Sequence, residues 1–308
     1  MAYNLDNRLV IGVSSRALFD LTKENTIFEN EGVDAYCKYQ IEHETDILAP
    51  GPGFSLIEAL LKLNTLPNHA GRVEVIVMSR NSADTSLRVF NSIKHYKLDI
   101  TRAVLASGAT LAPYLNAFRT DLFLSAYEDD VQRAINSGIA AGIICADGSH
   151  TYEMKDKINQ IRIAFDGDAV LFSDASEKIF QAQGLEAFEE NERTYAQNPL
   201  QAGPFAKFLK TISDLQSEFT PEEAPIRTAL VTARSAPAHE RVIRTLRAWN
   251  VRIDEAFFLG GISKRDVLEA FGAHIFFDDQ EVHTTPASEV VPAARVPYKM
   301  QQGTQSDD

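Results

Sequence analysis

The first half of the chain resembles its second half in a nearly gapless register. Residues 10–19 align with residues 162–171, so that positions 152 apart correspond, and after one inserted residue the separation becomes 153. A separation that stays constant over most of each half indicates two copies of one structural unit, because chance similarity does not keep its register over such a length. We therefore predict two domains, residues 1–150 and 151–308, joined near residues 147–159.

Each copy alternates short apolar runs with amphipathic stretches. The predicted strands are residues 9–13, 73–78, 102–106 and 122–124 in the first copy and 161–165, 228–231, 255–259 and 274–277 in the second. The predicted helices of the second copy are residues 176–193, 205–219, 238–249 and 264–271. This alternation predicts an α/β fold with doubly wound, mostly parallel sheets. In such a fold ligands bind at the carboxyl ends of the strands.

Composition narrows the class of protein. The chain has 308 residues, a net charge of −13 and two cysteines, Cys37 and Cys145. Two cysteines cannot form a disulfide framework, which favours a reducing compartment. The N-terminus lacks the pattern of a signal peptide, and no apolar run approaches the roughly 18 residues of a membrane span. The negative charge argues against nucleic acid or an anionic membrane as a partner. We predict a soluble, cytoplasmic protein.

Two carboxylates one residue apart follow the first predicted strand of the second copy. Alternation along the strand directs Asp166 and Asp168 the same way, out of its carboxyl edge. Two acids there can hold a hard cation, and one of them can attack a neighbouring electrophile. Asp-x-Asp alone is a weak signal, since 43 residues of the chain are acidic, and a solvated turn is its ordinary explanation.

Three further signals follow in order, each beside its own apolar run. They are Thr232, Lys264 and the pair Asp278-Asp279. Taken singly, the threonine could cap a helix, the lysine could be exposed and the acids could be solvated turn residues. Because all of them fall at the carboxyl edge of the predicted sheet, the set favours one catalytic site.

With these four signatures, the second half resembles the haloacid dehalogenase (HAD) superfamily of Mg²⁺-dependent phosphohydrolases. Along nearly the whole chain the sequence resembles the cytosolic 5′-nucleotidase I family, through residues 79–85, 88–93, 165–174 and 263–268. The resemblance implies a HAD-like fold in two tandem copies, with a small cap around residues 175–220. It also implies Mg²⁺-dependent hydrolysis of nucleoside monophosphates, with AMP favoured, and suggests a nucleotide effector.

The resemblance assigns chemical roles to the acidic residues. Asp166 would attack phosphorus and form an aspartyl-phosphate. Asp168 would protonate the leaving oxygen and then deprotonate the water that hydrolyses the intermediate. Mg²⁺ would be held by Asp166, the Asp168 carbonyl and Asp278.

Three further residues complete the assignment. Lys264 would neutralise the phosphate and the nucleophile, and Thr232 would hydrogen-bond a phosphoryl oxygen. Asp279 would either bind the metal through water or orient Lys264, and the sequence favours neither role.

The first copy has lost this chemistry. In the register Ser14 and Arg16 replace the two aspartates, Leu111 replaces the lysine, and Ser125-Ala126 replace the second acidic pair. We therefore predict that the first copy is catalytically dead, and that it is either a scaffold or a wall of the active site. Its candidates for nucleoside contacts are Arg80, Asn81, Asp84, Thr85 and Arg88. Arg16 could instead create an anion or effector site.

Two other interpretations stay open at this point. The first is a HAD phosphatase that acts on another small phosphate ester, because the four motifs report little about the rest of the pocket. The second is a non-catalytic phospho-acceptor module or nucleotide sensor, since receiver domains also place acids, a hydroxyl residue and a lysine at a parallel sheet edge. The sequence does not predict base preference, sugar preference or oligomeric state.

Overall fold

In the computed structural model, which describes residues 4–66, 71–144 and 160–299, ten strands form one continuous sheet. The strands are β1 Leu9–Val13, β2 Val73–Ser79, β3 Arg102–Leu105, β4 Leu122–Ser125, β5 Ala140–Ile144, β6 Ile161–Phe165, β7 Ile226–Thr232, β8 Glu255–Phe258, β9 Ile275–Asp278 and β10 Ala293–Arg295. The predicted junction, residues 147–159, lies outside the described residues.

Helices connect the strands and cover the sheet. In the first half they are α1 Ser15–Leu18, α2 Thr22–Glu31, α3 Val33–Glu42, α4 Phe54–Lys62, α5 Leu87–His95, α6 Ala112–Ala117 and α7 Glu128–Asn136. In the second half they are α8 Ala175–Thr194, α9 Ala206–Gln216, α10 His239–Ala248, α11 Lys264–Phe271 and α12 Glu281–Ala287. Short helical turns occupy Leu63–Thr65 and Gly167–Leu171. In the described ranges no helix combines the length and the apolar content needed to cross a bilayer.

The sheet is mostly parallel, as predicted. Its strand order is β3-β2-β1-β4-β5-β10-β9-β6-β7-β8, and every neighbouring pair is parallel except β5 and β10. Outward from that central pair the strands follow in the order β5, β4, β1, β2, β3 in the first half and β10, β9, β6, β7, β8 in the second half. In both halves the first strand in the chain is thus the third from the centre, flanked by the second and the fourth. The sequence led us to expect a sheet for each copy, but the pairing of Ala294 with Ile144 joins both halves into a single sheet.

The antiparallel pair in the middle has a consequence for the site. All strands of the first half point one way and all strands of the second half point the other way. The carboxyl ends of the first-half strands therefore lie at one end of the strand direction, and those of the second-half strands lie at the other end. Any ligand bound at the carboxyl ends of β6, β7 and β9 is separated from the carboxyl ends of β1 and β2 by the length of the strands.

The core lies on both faces of the sheet. β1 is buried along its full length, which explains why its sequence is a continuous apolar run rather than an alternating one. Beneath the end of β6, Phe165 stacks on Phe277 with ring centroids 5.8 Å apart, and Phe205 packs against Phe277 at 4.7 Å. This aromatic cluster gives the strand ends that carry the acidic motifs a rigid base.

The loop after β6 is packed tightly against the segment before α9. A Cβ atom at Gly203 would lie 2.3 Å from the carbonyl oxygen of Phe172 and 2.5 Å from that of Val170. The Gly203 N–H donates to the carbonyl of Leu171 at 2.8 Å. Only glycine allows this approach, so the segment that leads into α9 is held against the loop that carries the Asp-x-Asp motif.

Candidate active site

Asp166 is the first residue after β6, and the chain turns sharply behind it. Its N–H donates to the carbonyl of Phe277 on β9 at 2.8 Å, which ties together the ends of two neighbouring strands. Within the helical turn Gly167–Leu171, Ala169 has a φ of 59°, in the left-handed region that costs a residue with a Cβ atom energy. This strained turn holds Asp166 and Asp168 at the carboxyl edge.

Lys264 lies between two carboxylates at this edge. Its Nζ is 2.5 Å from Oδ1 of Asp166 and 2.6 Å from Oδ2 of Asp278, and all three side chains are buried. The lysine is the first residue of α11, where the Ser263 hydroxyl caps the helix by accepting from the Arg265 N–H. The structure thus brings together three residues that the sequence predicted to act together.

The electrostatics of this cluster are dominated by burial. Burial raises the pKa of Asp166 to about 7, against the opposing effect of Lys264 and with a further rise from Asp278. Burial also raises the pKa of Asp278, again opposed by Lys264. Burial by itself would lower the pKa of Lys264, but the two carboxylates raise it above its usual range. One ammonium thus faces an excess of buried carboxylates.

Asp279 adds a third buried carboxylate. It is 5% exposed, and neither of its oxygens has a hydrogen-bond partner in the described part of the chain. Burial and then the charge of Asp166 raise its pKa to about 8, against the opposing effect of the nearby Tyr298 hydroxyl. A buried carboxylate without a partner is costly, and a hard cation at this edge would remove that cost.

The oxygen donors at this edge fit Mg²⁺, which prefers few carboxylates together with carbonyls, water and phosphate. The described residues contain no group of three histidine, cysteine, aspartate or glutamate side chains that converges as a metal site. The predicted set needs only two such side chains, Asp166 and Asp278, because its third ligand is the Asp168 carbonyl. Asp279 is the next residue after Asp278, and its oxygens have no hydrogen-bond partner in the described residues.

The Asp168 side chain is paired with a residue that the sequence analysis missed. Arg234 donates from Nε and Nη2 to the two Asp168 oxygens at 2.7 and 2.6 Å. Arg234 also donates to Glu192 at 2.6 Å, and Arg241 donates to the other oxygen of Glu192 at 2.9 Å. A signal for Arg234 exists, since Arg234 lies two residues after Thr232 at the end of β7, as Asp168 lies two residues after Asp166 at the end of β6.

Thr232 lies beside the Asp-x-Asp loop. It ends β7, is 1% exposed and accepts from the Arg234 N–H at 3.3 Å. A Cβ atom placed on Gly167 would lie 3.2 Å from the Thr232 hydroxyl. The threonine therefore shares the edge with Asp166 and Lys264, as predicted from its position after a strand.

The five first-half candidates lie elsewhere. They are Arg80, Asn81, Asp84, Thr85 and Arg88, which follow β2 at the opposite edge of the sheet. Arg80 pairs with Asp130, and Arg88 pairs with Glu24. The structure does not bring these side chains to the edge that carries Asp166, because β5 and β10 pair in opposite directions.

Comparison with known proteins identifies relatives along the whole chain. A model of the 5′-nucleotidase family matches residues 1–303. Cytosolic 5′-nucleotidase 1B of Homo sapiens is 40% identical over 287 residues, which make up 90% of this chain and 47% of the human protein. The chain thus spans about half the length of that relative. Among solved structures, histidinol dehydrogenase from Elizabethkingia anophelis aligns over 95% of this chain and 74% of its own, with 10% identity and a TM-score of 0.22. That TM-score is too low to indicate a common fold.

Proposed function

The chain belongs to the 5′-nucleotidase family, and from this premise we propose that it hydrolyses nucleoside monophosphates to a nucleoside and phosphate, with AMP favoured and Mg²⁺ required. The observation that carries the proposal is the Lys264 ammonium held between the buried carboxylates of Asp166 and Asp278. A nucleophile, a cation and further oxygen donors at one strand edge suit the capture of a phosphoryl group.

Asp166 is the nucleophile in this proposal. One of its carboxylate oxygens forms a bond to phosphorus as the bond from phosphorus to the 5′-oxygen breaks, which leaves an aspartyl-phosphate. Asp168 gives a proton to the departing 5′-oxygen, then takes a proton from the water that attacks phosphorus. The two hydrogen bonds from Arg234 hold the Asp168 carboxyl group in place for both proton transfers.

The other residues stabilise charge. Lys264 neutralises the phosphate and the nucleophile, and Thr232 hydrogen-bonds a phosphoryl oxygen. Mg²⁺, when held by Asp166, Asp278 and the Asp168 carbonyl, would offset the repulsion between the nucleophile and the phosphate dianion. Asp279 either reaches the metal through water or orients Lys264.

We also propose the finer architecture: two HAD-like copies, 1–150 and 151–308, of which the first is catalytically inactive. The equal strand order in the two halves supports two copies. The cap expected around residues 175–220 is α8 in this proposal, since α9 of the same range packs into the core with Phe208, Leu209 and Ile212. Glu177 of α8 accepts from the Gln280 side chain at 3.0 Å, and the charges of Asp168 and Asp166 act on its carboxylate. The nucleoside is then contacted from the second half.

The human relative is named as a cytosolic protein, and we propose the same compartment here. The net charge of −13 and the presence of only two cysteines support this proposal.

The proposal is tested by measuring phosphate release from AMP, other nucleoside monophosphates and glucose 6-phosphate, with Mg²⁺ or with EDTA. AMP should be the best substrate, EDTA should abolish release, and Asp166→Asn should lower it by at least about 1,000-fold. Asp266→Asn is the matched control, because this exposed aspartate lies two residues after Lys264.

The rival functions predict different results. Release from glucose 6-phosphate well above that from AMP would identify another phosphatase of the superfamily. Acid quenching after incubation with ³²P-labelled AMP distinguishes an enzyme from a phospho-acceptor module. A phospho-acceptor would keep one label per chain on Asp166 and release no phosphate. Activity that survives in Asp166→Asn would refute the assigned nucleophile.

A further inference from the structure

The carboxyl edge of the first half contains three buried polar atoms without hydrogen-bond partners. They are Nε of Arg16, Oε1 of Gln40 and Nδ2 of Asn81, and each lacks a partner within the described ranges. Gln40 is 1% exposed. Buried polar groups are nearly always paired in proteins, so an unpaired set at one place needs a physical reason. A ligand that supplies the missing partners is one such reason.

These three atoms belong to one cluster. The Gln40 amide donates to the Tyr36 hydroxyl at 2.9 Å. The side chains of Gln40, Tyr127 and Asn81 are all close enough to act on the Tyr36 hydroxyl. The Arg16 guanidinium lies over the Tyr127 ring, 5.5 Å from its centroid. Tyr36 and Tyr127 thus connect the arginine, the glutamine and the asparagine.

The hydroxyls at the ends of β1 and β2 extend the cluster. The Asn81 N–H donates to the Ser79 hydroxyl at 3.1 Å, and the Ser79 and Ser15 hydroxyls are 3.2 Å apart. The cluster therefore spans the ends of two adjacent parallel strands, which is the usual position of a ligand in such a sheet.

The charge of the cluster is positive. Its neighbouring acid Glu24 is paired with Arg88, and Asp130 is paired with Arg80. Arg16 forms no ion pair in the part of the chain that the structure describes. A partly buried guanidinium without an ion-pair partner favours an anion.

The corresponding residues of the second half carry the opposite net charge. The register that relates the two halves pairs Arg16 with Asp168, Asn81 with Arg234 and Gln40 with Glu192. In the second half the corresponding carboxylates and guanidinium neutralise one another. In the first half the two acids are replaced by an arginine and an amide, so the cluster is positively charged and needs no metal to attract an anion.

We infer that Arg16, Asn81 and Gln40 form a metal-independent binding site for a small phosphate-type oxyanion that carries a hydroxyl group. Arg16 Nε and Asn81 Nδ2 donate to the oxyanion, and the hydroxyl donates to Gln40 Oε1. Inorganic phosphate has a P–OH group that meets this requirement, and a phosphate ester meets it through a hydroxyl of its organic part. The inference does not rest on the proposed nucleotidase activity.

The test is calorimetric titration of the full chain with inorganic phosphate in EDTA, in an Asp166→Asn background that disables the catalytic edge. We expect saturable binding. Arg16→Gln should weaken it about tenfold or more, since this variant loses a charge-assisted hydrogen bond to the oxyanion. Asn81→Asp keeps the side-chain shape but adds a negative charge, and it should abolish binding. Arg119→Gln, which changes an exposed arginine of the same half, should leave binding unchanged.

The results of these titrations distinguish inorganic phosphate from a phosphate ester as the ligand, and they test whether the cluster is the binding site. Tighter binding of glucose 6-phosphate than of phosphate, with the same loss in Asn81→Asp, identifies an ester as the ligand. No saturable binding of either probe overturns the inference. Binding that survives in both a folded Arg16→Gln and a folded Asn81→Asp also overturns it. Should Arg16→Gln fail to fold, as monitored by urea unfolding, Asn81→Asp alone decides.

Discussion

Arg234 donates two parallel hydrogen bonds to the carboxylate of Asp168, from Nε to Oδ2 at 2.7 Å and from Nη2 to Oδ1 at 2.6 Å. Such a bidentate pair fixes the position and the orientation of the carboxylate. The arginine is itself 4% exposed and is held from behind by Glu192. The proposed acid and base of the reaction is therefore positioned by a charged network rather than by one loop.

Replacing Arg234 by lysine should slow hydrolysis of the aspartyl-phosphate more than its formation. Lysine keeps the charge but cannot make the two parallel bonds, so Asp168 loses its fixed orientation as a base. With p-nitrophenyl phosphate, whose leaving group needs no proton, we expect a burst of nitrophenol followed by a steady state about 10–100-fold slower than in the wild type.

Arg241→Lys is the matched control for this experiment. Arg241 contacts Glu192 and not Asp168, so its replacement should produce no burst. Steady-state rates that fall in Arg234→Lys without a burst and without a trapped phospho-enzyme would contradict the positioning role.

Glu192 should contribute strongly to stability because it is buried between two guanidinium groups. It is fully buried, accepts from Arg234 and Arg241, and also accepts from the Ser176 hydroxyl at 2.8 Å. Glu192→Gln leaves a buried positive charge uncompensated, which should lower the free energy of unfolding by about 3 kcal/mol. Urea denaturation measures this, with Glu190→Gln as the control. Glu190 is exposed and forms a surface ion pair with Arg193. Its replacement should change the free energy of unfolding by less than about 0.5 kcal/mol.

The sequence predicted that the candidate catalytic residues lie together at the carboxyl ends of the strands, because its signals are local. Each of Asp166, Thr232 and Asp278 ends or follows a strand, and parallel strands bring their carboxyl ends to one edge. Strand β1 and helix α11 also have the predicted bounds. Local patterns suffice for such features, since nothing distant has to be known.

The missed features depend on contacts between distant parts of the chain. Glu192 is one of many polar residues on α8, and periodicity does not reveal which of them turns toward Arg234. Strands β5 and β10 are short runs rich in small residues, AAGII and AAR, which give weak strand signals. Without them the antiparallel junction is not predicted. For this reason the sequence does not predict that Arg80 and Asp84 lie at the opposite end of the strand direction from Asp166.

Asp279→Asn should stabilise the metal-free protein. The Asp279 carboxylate is buried without a hydrogen-bond partner in the described residues, and burial raises its pKa to about 8. Removing the ionisable group should raise the free energy of unfolding by about 1–3 kcal/mol in EDTA at neutral pH. Asp266→Asn, an exposed change in the same region, should have no comparable effect.

The same variant distinguishes the two roles of Asp279. In the wild type, Mg²⁺ should raise the melting temperature, because a ligand that binds only the folded state stabilises it. If Asp279 holds the metal, this rise is lost in Asp279→Asn together with activity. An unchanged rise with lost activity assigns the residue to orienting Lys264. A metal-free variant less stable than the wild type would contradict the stabilisation that we expect.

His274 should make the protein less stable as the pH falls below neutral. Its Nδ1 accepts from the Arg162 N–H at 2.7 Å, so the folded state holds the neutral ring. Burial, followed by the charge of Arg162, lowers its pKa from 6.5 to about 4. Between these values the unfolded chain binds a proton that the folded protein does not, so stability present above pH 6.5 is lost toward pH 4.

Asn at position 274 offers an acceptor near the place of Nδ1 but does not titrate. The free energy of unfolding of the wild type should therefore fall by ~1–2 kcal/mol more than that of His274→Asn between pH 7 and 4, after allowance for solvent screening of a partly exposed ring. Urea unfolding at a series of pH values measures the difference. His95→Asn is the control, since His95 is exposed on α5 and its removal should leave the pH dependence of the wild type intact. Parallel curves for the wild type and His274→Asn would mean that the buried ring takes up its proton in the folded state as readily as in the unfolded chain.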